Sequence, residues 1–472
     1  MILKMKNANI TIKAFLLAGL LGVLPACNGF LDVNDDPTRL NDVTLDLLLP
    51  TTLEALSKTH YYLAYTASQV THQMDAFGGY YGEFSNASAW STIYLKGMNN
   101  LRAMIDKASA AGDDYSPHYA GVGKVIEAMY VGLLTTTWED VPYSEALMGS
   151  ANVQPAYDTQ EALYGQIQNL LDEALQLLDE PESAYSPASD DLAYGGDLDK
   201  WKKLAHSLKA RYLLHLSNKG ADWNAILNHV AQGLSSNADN FQLVYSASNP
   251  NPWFTNVAKA NETGNFSITH AAYFIDLLKG EIYPVADPRL PMIAALTSGA
   301  TEYIGEASWD PNAPESTVIL TKDTWYSTQT APVLMMTFAE LKFIEAEAAY
   351  HAGDMARAES AYFEGIAAHM DQLGVDANSQ ANYMSHPAIA TVDLERIMMQ
   401  KYIALFLHQE AWTDMRRYQF DPNVFRGFVE PDYNGRNLPG QRARYPVTEE
   451  TRNPQNVALH RKDFTTPMWF SE

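Results

Sequence analysis

Seven aromatic residues lie in two loop-rich segments, where flat, rigid side chains could stack on a bound molecule. The first segment carries Gly78, Gly79 and Gly82 between two predicted helices, and the second has no helical periodicity. A sugar ring has an apolar C–H face and a polar rim, which aromatic rings and nearby amides or carboxylates can match. Packing in a small local core is an equally weighted alternative for each residue. The candidates are Phe77, Tyr80, Tyr81, Tyr303, Trp309, Trp325 and Tyr326.

Other residue patterns do not favour catalysis or metal binding. Glu139 and Asp140 are adjacent carboxylates, but neighbours in a chain point in different directions, and Pro142 indicates that they end a helix. The acidic stretch from Asp32 begins like a calcium loop, yet Pro37 stands where the turn glycine should be. The sequence has no His-Glu-x-x-His pair, no Gly-x-Ser-x-Gly motif and no phosphate-binding glycine loop. We therefore expect no catalytic residues, no metal and no cofactor.

The first 26 residues predict a bacterial lipoprotein signal. Lysines within residues 4–13 precede an apolar run over residues 14–23, and Ala26 stands directly before Cys27, the only cysteine of the chain. The run is shorter than the roughly 20 residues that a membrane-spanning helix needs. An ordinary cleavage site beside a free thiol is the weaker alternative. Acylation of Cys27 would anchor the protein, with residues 27–43 as a tether.

Charge excludes one class of partner. The chain has 32 basic and 56 acidic residues, and removing the three lysines of the signal takes its formal charge from −24 to −27. Nucleic acid is an unsuitable partner because phosphate binding requires a basic surface. Polyanionic glycans are disfavoured more weakly, since a local patch can oppose the net field. The basic positions Arg416, Arg417 and residues 442–452 are expected to pair with the abundant acids.

Helical periodicity dominates the mature chain and predicts a mainly α fold. Apolar residues recur at steps of three and four, as at Trp201, Leu204 and Leu208. Gly353 can take a left-handed C-cap conformation and Asp354 can cap the next helix, which predicts an antiparallel helix pair. Strand-like alternation is scarce, with residues 317–320 the best candidate. Trp90 falls in a helical stripe and is left out of the site.

Four helix pairs can be drawn, set in one domain over residues 44–472. A helical scaffold occupies about 44–234 and 332–417, a loop-rich insert about 235–331, and an irregular tail 418–472. Small and aromatic residues in the fourth pair are spaced as in tetratricopeptide helices. A long final helix is expected over about 392–417. The predicted pairs are 45–74 with 89–111, 118–137 with 159–178, 200–218 with 222–234, and 332–352 with 354–370.

Six local strings in this order resemble the SusD/RagB nutrient-binding outer-membrane lipoproteins of Bacteroidetes. Their order and spacing match over nearly the whole mature chain, behind a lipoprotein signal. The strings are GKVIEAMYVGLLTTTWEDVPYSEAL ending at Leu147, WKKLAHSLKARYLLHLS over 201–217, DPRL over 287–290, PVLMMTFAELKFIEAEAAY over 332–350, QKYIALFLHQEAWTDMRR over 400–417, and RYPVTEETRNPQN over 444–456.

The resemblance implies a fold with four tetratricopeptide-like helix pairs that support a loop-rich ligand-binding half. It also implies a protein at the outer surface of the outer membrane that is not an enzyme. Members of the family capture oligosaccharides, or peptides in some branches, and act as the lid of a SusC-like TonB-dependent transporter. Their binding platform comes from an early interhelical loop and a middle insert. These loops vary with the ligand and offer no motif for aligning single aromatics, and our hypothesis is that Trp309 and Trp325, with Tyr80 and Tyr81, form the platform.

Two other functions remain open at this point. A peptide ligand would use loop backbone hydrogen bonds as well as aromatic contacts. A lipid-anchored glycoside hydrolase would need two carboxylates facing each other across a cleft, and no acidic pair is recommended by its local context. The sequence does not name the glycan, although its charge favours a neutral polymer over a polyanion.

Overall fold

The computed structural model describes residues 43–76, 83–265, 268–430 and 439–472. It is 56% helix and 5% strand, which confirms the predicted mainly α fold. Residues Leu45–Glu472 form one compact unit. The helices are α1 (Leu45–Val70), α2 (Ala87–Ser91), α3 (Asn99–Ala108), α4 (Pro117–Trp138), α5 (Gln160–Leu178), α6 (Leu198–His215), α7 (Trp223–Val230), α8 (Lys259–Glu262), α9 (Ala272–Lys279), α10 (Leu290–Ile293), α11 (Phe338–Ala352), α12 (Met355–Leu373), α13 (Ala377–Met384), α14 (Pro387–Ala390), α15 (Leu394–Ala404), α16 (Glu410–Arg417), α17 (Val447–Arg452) and α18 (Pro454–His460).

The four predicted helix pairs are all present. They are α1 with α2 and α3, which are joined by a π-helical segment (Thr92–Met98), then α4 with α5, α6 with α7, and α11 with α12. Local signals fix their ends, because Asp354 accepts a hydrogen bond from Arg357 N at the start of α12 and Gly353 takes a φ of 80° at the end of α11. A Cβ on Gly132 would lie 2.1 Å from the Tyr212 hydroxyl, so glycine permits the close approach of α4 and α6.

Short strands join the insert to the scaffold. The described residues form three two-stranded sheets, all antiparallel, and the candidate strand over 317–320 is confirmed as β5. The pairs are β1 (Met74–Ala76) with β3 (Ile268–His270), β2 (Phe241–Leu243) with β6 (Val333–Met336), and β4 (Ala295–Leu296) with β5 (Val318–Ile319). The insert also contains a π-helical segment (Phe254–Ala258) and helices α8 to α10, so it is less irregular than its sequence predicts.

The prediction of one long helix over about 392–417 is wrong, because the chain forms two helices there, α15 and α16. No proline or glycine marks the break, where Leu407 takes a φ of 56°. The buried side chain of Gln73 satisfies the backbone groups freed there. Its amide nitrogen donates to the carbonyls of Tyr402 (2.9 Å) and Leu405 (3.1 Å), and its oxygen accepts from Leu407 N (3.1 Å).

Replacing Gln73 with alanine is expected to lower the free energy of unfolding by about 1–3 kcal/mol, because buried backbone groups would lose their partners. Urea denaturation of the whole chain measures this. Gln455→Ala is the matched control, since Gln455 is exposed on α18 and its loss should leave the midpoint unchanged. A Gln73→Ala variant as stable as wild type would show that the break is held by other contacts.

The tail departs from its predicted irregularity through two short helices, α17 and α18. Pro454 occupies the first turn of α18, where a missing N–H costs nothing.

Helix α4 ends at Trp138, as expected, and Glu139 is buried against Arg442 and Lys462 rather than facing a cleft. Within the described ranges, the membrane-span criteria of length and hydropathy are met by no helix.

Candidate functional site

Four of the predicted functional residues lie outside the described residues. These are Cys27 and the three aromatics of the early loop, Phe77, Tyr80 and Tyr81. The early loop nevertheless begins directly after β1, whose last residue is Ala76. The position of β1 therefore shows which part of the fold the loop leaves from.

Trp309 lies beside the start of that loop. Its indole is 49% exposed, although tryptophan usually buries most of its surface. The preceding residue, Ser308, donates two hydrogen bonds to the buried carboxylate of Asp75 in β1, from its hydroxyl to Oδ1 (2.8 Å) and from its backbone N–H to Oδ2 (3.1 Å). The structure thus brings the insert into contact with β1, the strand that precedes the early loop, across 233 residues of sequence.

A small β framework holds this junction. Asp75 faces Thr269 in the register of β1 with β3, and the Thr269 hydroxyl donates to the carbonyl of Val318 in β5. Strand β5 pairs in turn with β4. Four short strands from distant parts of the chain therefore fix where the loops of the insert begin and end.

Tyr303 belongs to the same region and is half-buried against the core. Its neighbour Ile304 donates its N–H to the Thr317 hydroxyl (2.9 Å) and accepts from Thr317 N (2.9 Å). A Cβ on Gly305 would lie 2.5 Å from the Cα of Ala272, so only glycine allows the chain to pass here. These contacts fix the backbone of the segment that carries Tyr303 and Trp309.

Trp325 and Tyr326 occupy a 3₁₀ turn (Trp325–Ser327) at different depths. Tyr326 is buried, its hydroxyl bonds the His369 ring (2.9 Å), and its own ring packs edge-on against Phe406 (5.1 Å). Trp325 is half-buried and packs edge-on against Tyr326 (4.8 Å). Tyr326 thus lies in the core, where packing accounts for it, while Trp325 keeps part of its surface accessible.

The sequence does not single out two further half-exposed aromatics on α1, Tyr62 and Tyr65. The Tyr65 ring stacks on Trp253 with a centroid distance of 6.2 Å and an interplanar angle of 21°. Tyr61 packs edge-on against the same indole at 4.9 Å. Their signal in the sequence is weak because tyrosines at helical spacing are most often core residues. Trp90 is buried against Trp138 (5.1 Å), as its helical stripe predicts.

The junction is acidic. Burial raises the pKa of Asp75, although its hydrogen bonds with Ser308 oppose that shift. Burial also raises the pKa of Glu306, and the nearby charges of Asp75 and Glu315 add to the effect. An anionic ligand would meet repulsion here. Among the described residues, no group of three or more His, Cys, Asp and Glu side chains could hold a metal ion.

A family model for SusD-like proteins, described as starch-binding and associating with the outer membrane, matches residues 32–446. This span covers most of the 472 residues. The chain belongs to this SusD-like family. Family membership confirms the resemblance drawn from the six sequence strings, and the family's association with the outer membrane accords with the predicted location.

Solved structures show the same fold for this SusD-like chain. A chitin-binding protein has a TM-score of 0.75 and 22% identity, over 91% of this chain and 100% of its own. A SusD/RagB family protein from Bacteroides thetaiotaomicron has a TM-score of 0.75 and 23% identity, over 91% and 99%. A chitin-binding SusD homolog from Flavobacterium johnsoniae has a TM-score of 0.73 and 20% identity, over 91% and 98%. No curated protein matches the sequence significantly.

A buried histidine, His270, follows Thr269 in β3. His270, in β3, has one ring nitrogen 3.2 Å from the Ile293 carbonyl, while Nδ1 has no hydrogen-bond partner within the described chain. Burial lowers the pKa of His270 to about 4, with the Ile293 carbonyl opposing the shift. The unfolded chain would bind this proton near pH 6.5 and the folded chain would not. Acid therefore destabilises the folded chain through His270.

His270→Gln is expected to flatten the pH dependence of stability. Between pH 6 and pH 4.5, wild-type stability should fall with falling pH, and His270 should contribute at most about 1.4 kcal/mol per pH unit. Glutamine keeps a donor for the Ile293 carbonyl but does not titrate. Urea denaturation at several pH values measures the two slopes. Equal slopes for variant and wild type would mean that His270 is protonated in the folded state.

Proposed function

We propose that this chain is a surface-exposed lipoprotein that captures oligosaccharides and delivers them to a SusC-like TonB-dependent transporter, acting as its lid. The observation that carries the proposal is the exposed Trp309, which Ser308 fixes beside Asp75 at the start of the early aromatic loop. Family membership, with its description as starch-binding, supports a glycan as the ligand. The chitin-binding neighbours support the same class of ligand.

The geometry suits a sugar because the aromatic surface is bordered by hydrogen-bonding groups. Trp309 offers an apolar face, and Ser308, Glu306 and Asp310 lie next to it in the chain. Stacking covers the C–H face of a ring while polar neighbours bond its hydroxyls. Burial raises the pKa values of Asp75 and Glu306, and the nearby charges of Asp75 and Glu315 raise that of Glu306 further. Because acidic groups border the aromatic surface, we propose a neutral glycan rather than a polyanion.

Capture without hydrolysis is part of the proposal. Both oxygens of Asp75 accept hydrogen bonds from Ser308, which assigns this carboxylate to holding the loop rather than to proton transfer. A glycosidase needs one acid and one base or nucleophile that face the scissile bond. We therefore propose a binding protein rather than an enzyme.

Anchoring at Cys27 and the transporter partner complete the proposal. The signal-like residues 1–26 and the family's association with the outer membrane support the anchor. Membrane fractionation of wild type and Cys27→Ala tests it, and a variant that remains in the outer-membrane fraction would contradict acylation. Co-purification of a TonB-dependent barrel with the tagged wild-type protein tests the partnership.

Neutral glycans are expected to bind without being cut. Calorimetry with starch and chitin oligosaccharides, and with an unrelated peptide library as the competing ligand class, measures binding to the whole chain. A reducing-end assay on the same samples should show no release above the protein-free control. Release that scales with protein concentration would replace the capture proposal with a hydrolase, and binding of peptides alone would replace the glycan.

A further inference from the structure

An open cleft of about 530 Å³ lies where the C-terminal tail meets the helical scaffold. Small-molecule sites typically enclose about 300–1,000 Å³, so this cleft can accept a ligand. Two tighter cavities in the described structure enclose about 20 and 10 Å³, room for little more than one water. Among the described residues of the insert over 235–331, none lines the cleft. Its lining residues are Asn218, Arg417, Tyr418, Gln419, Asp421, Pro422 and Glu472.

A strained turn after α16 builds one wall of this cleft. Gln419 and Phe420 take φ values of 52° and 56°, a left-handed conformation that two successive non-glycine residues seldom share. Gln419 N donates to the Arg416 carbonyl (2.9 Å), and Phe420 N donates to the Met415 carbonyl (2.7 Å). Phe420 is buried while Gln419 is exposed. The strain therefore fixes a polar side chain at the cleft.

Two further lining residues, Asn218 and Arg417, are held by hydrogen bonds and ion pairs to the surrounding chain. Asn218 Nδ2 donates to the carbonyls of Arg417 (2.9 Å) and Ser471 (3.2 Å), which leaves its Oδ1 as an acceptor. The Arg417 guanidinium is paired with Glu347 (2.8 Å) and Asp414 (2.6 Å). Because these two carboxylates already balance its charge, Arg417 does not favour the binding of a phosphate or carboxylate ligand.

An aromatic corner adjoins the cleft. The Tyr418 hydroxyl donates to Glu347 (2.7 Å), so His351 Nε2, 3.1 Å from the same oxygen, acts as a donor to it. Trp223 stacks on the His351 ring at 4.6 Å with an interplanar angle of 17°. Tyr418, which lines the cleft, is thus linked through His351 to the half-buried Trp223.

Free polar groups complete the surface. The side chains of Gln419 and Glu472 form no hydrogen bond or ion pair within the described part of the chain. There, the Asp421 carboxylate accepts hydrogen bonds only from Asn423 of its own turn. An amide and two carboxylates beside a tyrosine and a proline match vicinal hydroxyls and a C–H face. Two carboxylates alone are too few for a calcium site.

We propose that this cleft is a second saccharide site, which takes a neutral sugar unit and is separate from the surface around Trp309. It goes beyond the capture function proposed for the insert, because two sites on one chain would hold a polymer at two points. Such bivalent attachment strengthens binding to a long glycan without a new contact at either site.

Hydrogen–deuterium exchange on the whole chain, with and without starch and chitin oligosaccharides at millimolar concentration, tests the proposal. Added oligosaccharide should slow exchange in the turn 418–422 and near Asn218. The double variant Gln419→Ala/Glu472→Ala should lose this protection and keep any protection at residues 303–310. Gln455→Ala/Glu182→Ala removes the same chemical groups from exposed positions elsewhere and should behave as wild type.

The outcomes separate the two sites. Protection confined to 303–310 would overturn the second site and leave the proposed function intact. Protection confined to the cleft would support the second site and contradict the role of Trp309. Absence of protection at both places would overturn both with these glycans. Cleft protection that persists in the folded double variant would also overturn the second site. If the double variant does not fold, the exchange of the wild-type protein with and without oligosaccharide decides the question.

Discussion

Trp309→Ala is expected to weaken glycan binding at least tenfold while leaving the fold intact. Truncating a central stacking aromatic costs about 1–3 kcal/mol, and about 1.4 kcal/mol corresponds to a factor of ten in the dissociation constant. The indole is half-exposed, so its removal takes little from the core. Calorimetry with the tightest-binding oligosaccharide measures the loss, and the melting temperature reports the fold.

Two controls make this result specific. Trp309→Phe retains a flat apolar face and should recover much of the affinity. Tyr185→Ala removes an aromatic of similar exposure, 57%, from a loop of the helical scaffold and should bind as wild type. A Trp309→Ala variant with unchanged affinity would move the platform to other aromatics, with Trp325 and Tyr65 the next to test.

The helix pairs could be predicted because their determinants are local. Periodic apolar positions define the buried face, and caps such as Asp354 satisfy the first free N–H groups within one turn. Each signal lies within a few residues of the structure that it determines. The predicted pairs therefore match the observed ones to within a few residues at most ends.

The break between α15 and α16 could not be predicted, because its cause lies elsewhere in the chain. Gln73 is 334 residues from Leu407, and its side chain replaces the helical hydrogen bonds. The burial of Tyr326 is equally non-local, since it depends on His369 and Phe406. Aromatic residues in an aperiodic segment indicate where a site could form, but tertiary packing decides which of them remain exposed.

Adjacent arginines in α16 show the same limit. Both were expected to pair with acids, and Arg417 does so. Arg416 instead donates to the carbonyls of Thr136 (2.7 Å) and Gln441 (2.9 Å) and lies 4.0 Å from the Trp412 ring. Burial lowers the pKa of Arg416 to about 9. The pairing prediction is wrong for Arg416, because its helix face meets backbone carbonyls and an indole rather than carboxylates.

Glu347→Gln is expected to lower the free energy of unfolding by about 3–5 kcal/mol, since it leaves buried cations short of a partner. Arg417 contacts both oxygens of Glu347 at 2.8 and 3.0 Å, and Lys401 lies 3.3 Å away. Asp414 alone would then face two positive charges from which water is excluded. Urea denaturation at pH 7 measures the loss.

The dependence on pH distinguishes lost charge from lost packing. Burial raises the pKa of Glu347, but Arg417 and Lys401 outweigh it and bring the value to about 2. A depressed carboxyl pKa contributes stability that is present above about pH 4.3 and is lost as the pH falls towards 2. The difference in the free energy of unfolding between Glu347→Gln and wild type should therefore narrow over that range. If the variant instead had a packing defect, this difference would stay constant with pH.

Asp199→Asn is the matched control for removing one carboxylate charge from an ion pair. Asp199 lies 2.9 Å from Lys202, but its side chain is 83% exposed, so water and salt screen the pair. The urea unfolding midpoint of Asp199→Asn should equal that of wild type. Equal destabilisation by both variants would show that burial does not strengthen the Glu347 cluster. A large loss of stability for Glu347→Gln alone would show that this buried cluster holds α11, α15 and α16 together. Helix α16 leads directly into the strained turn of the cleft.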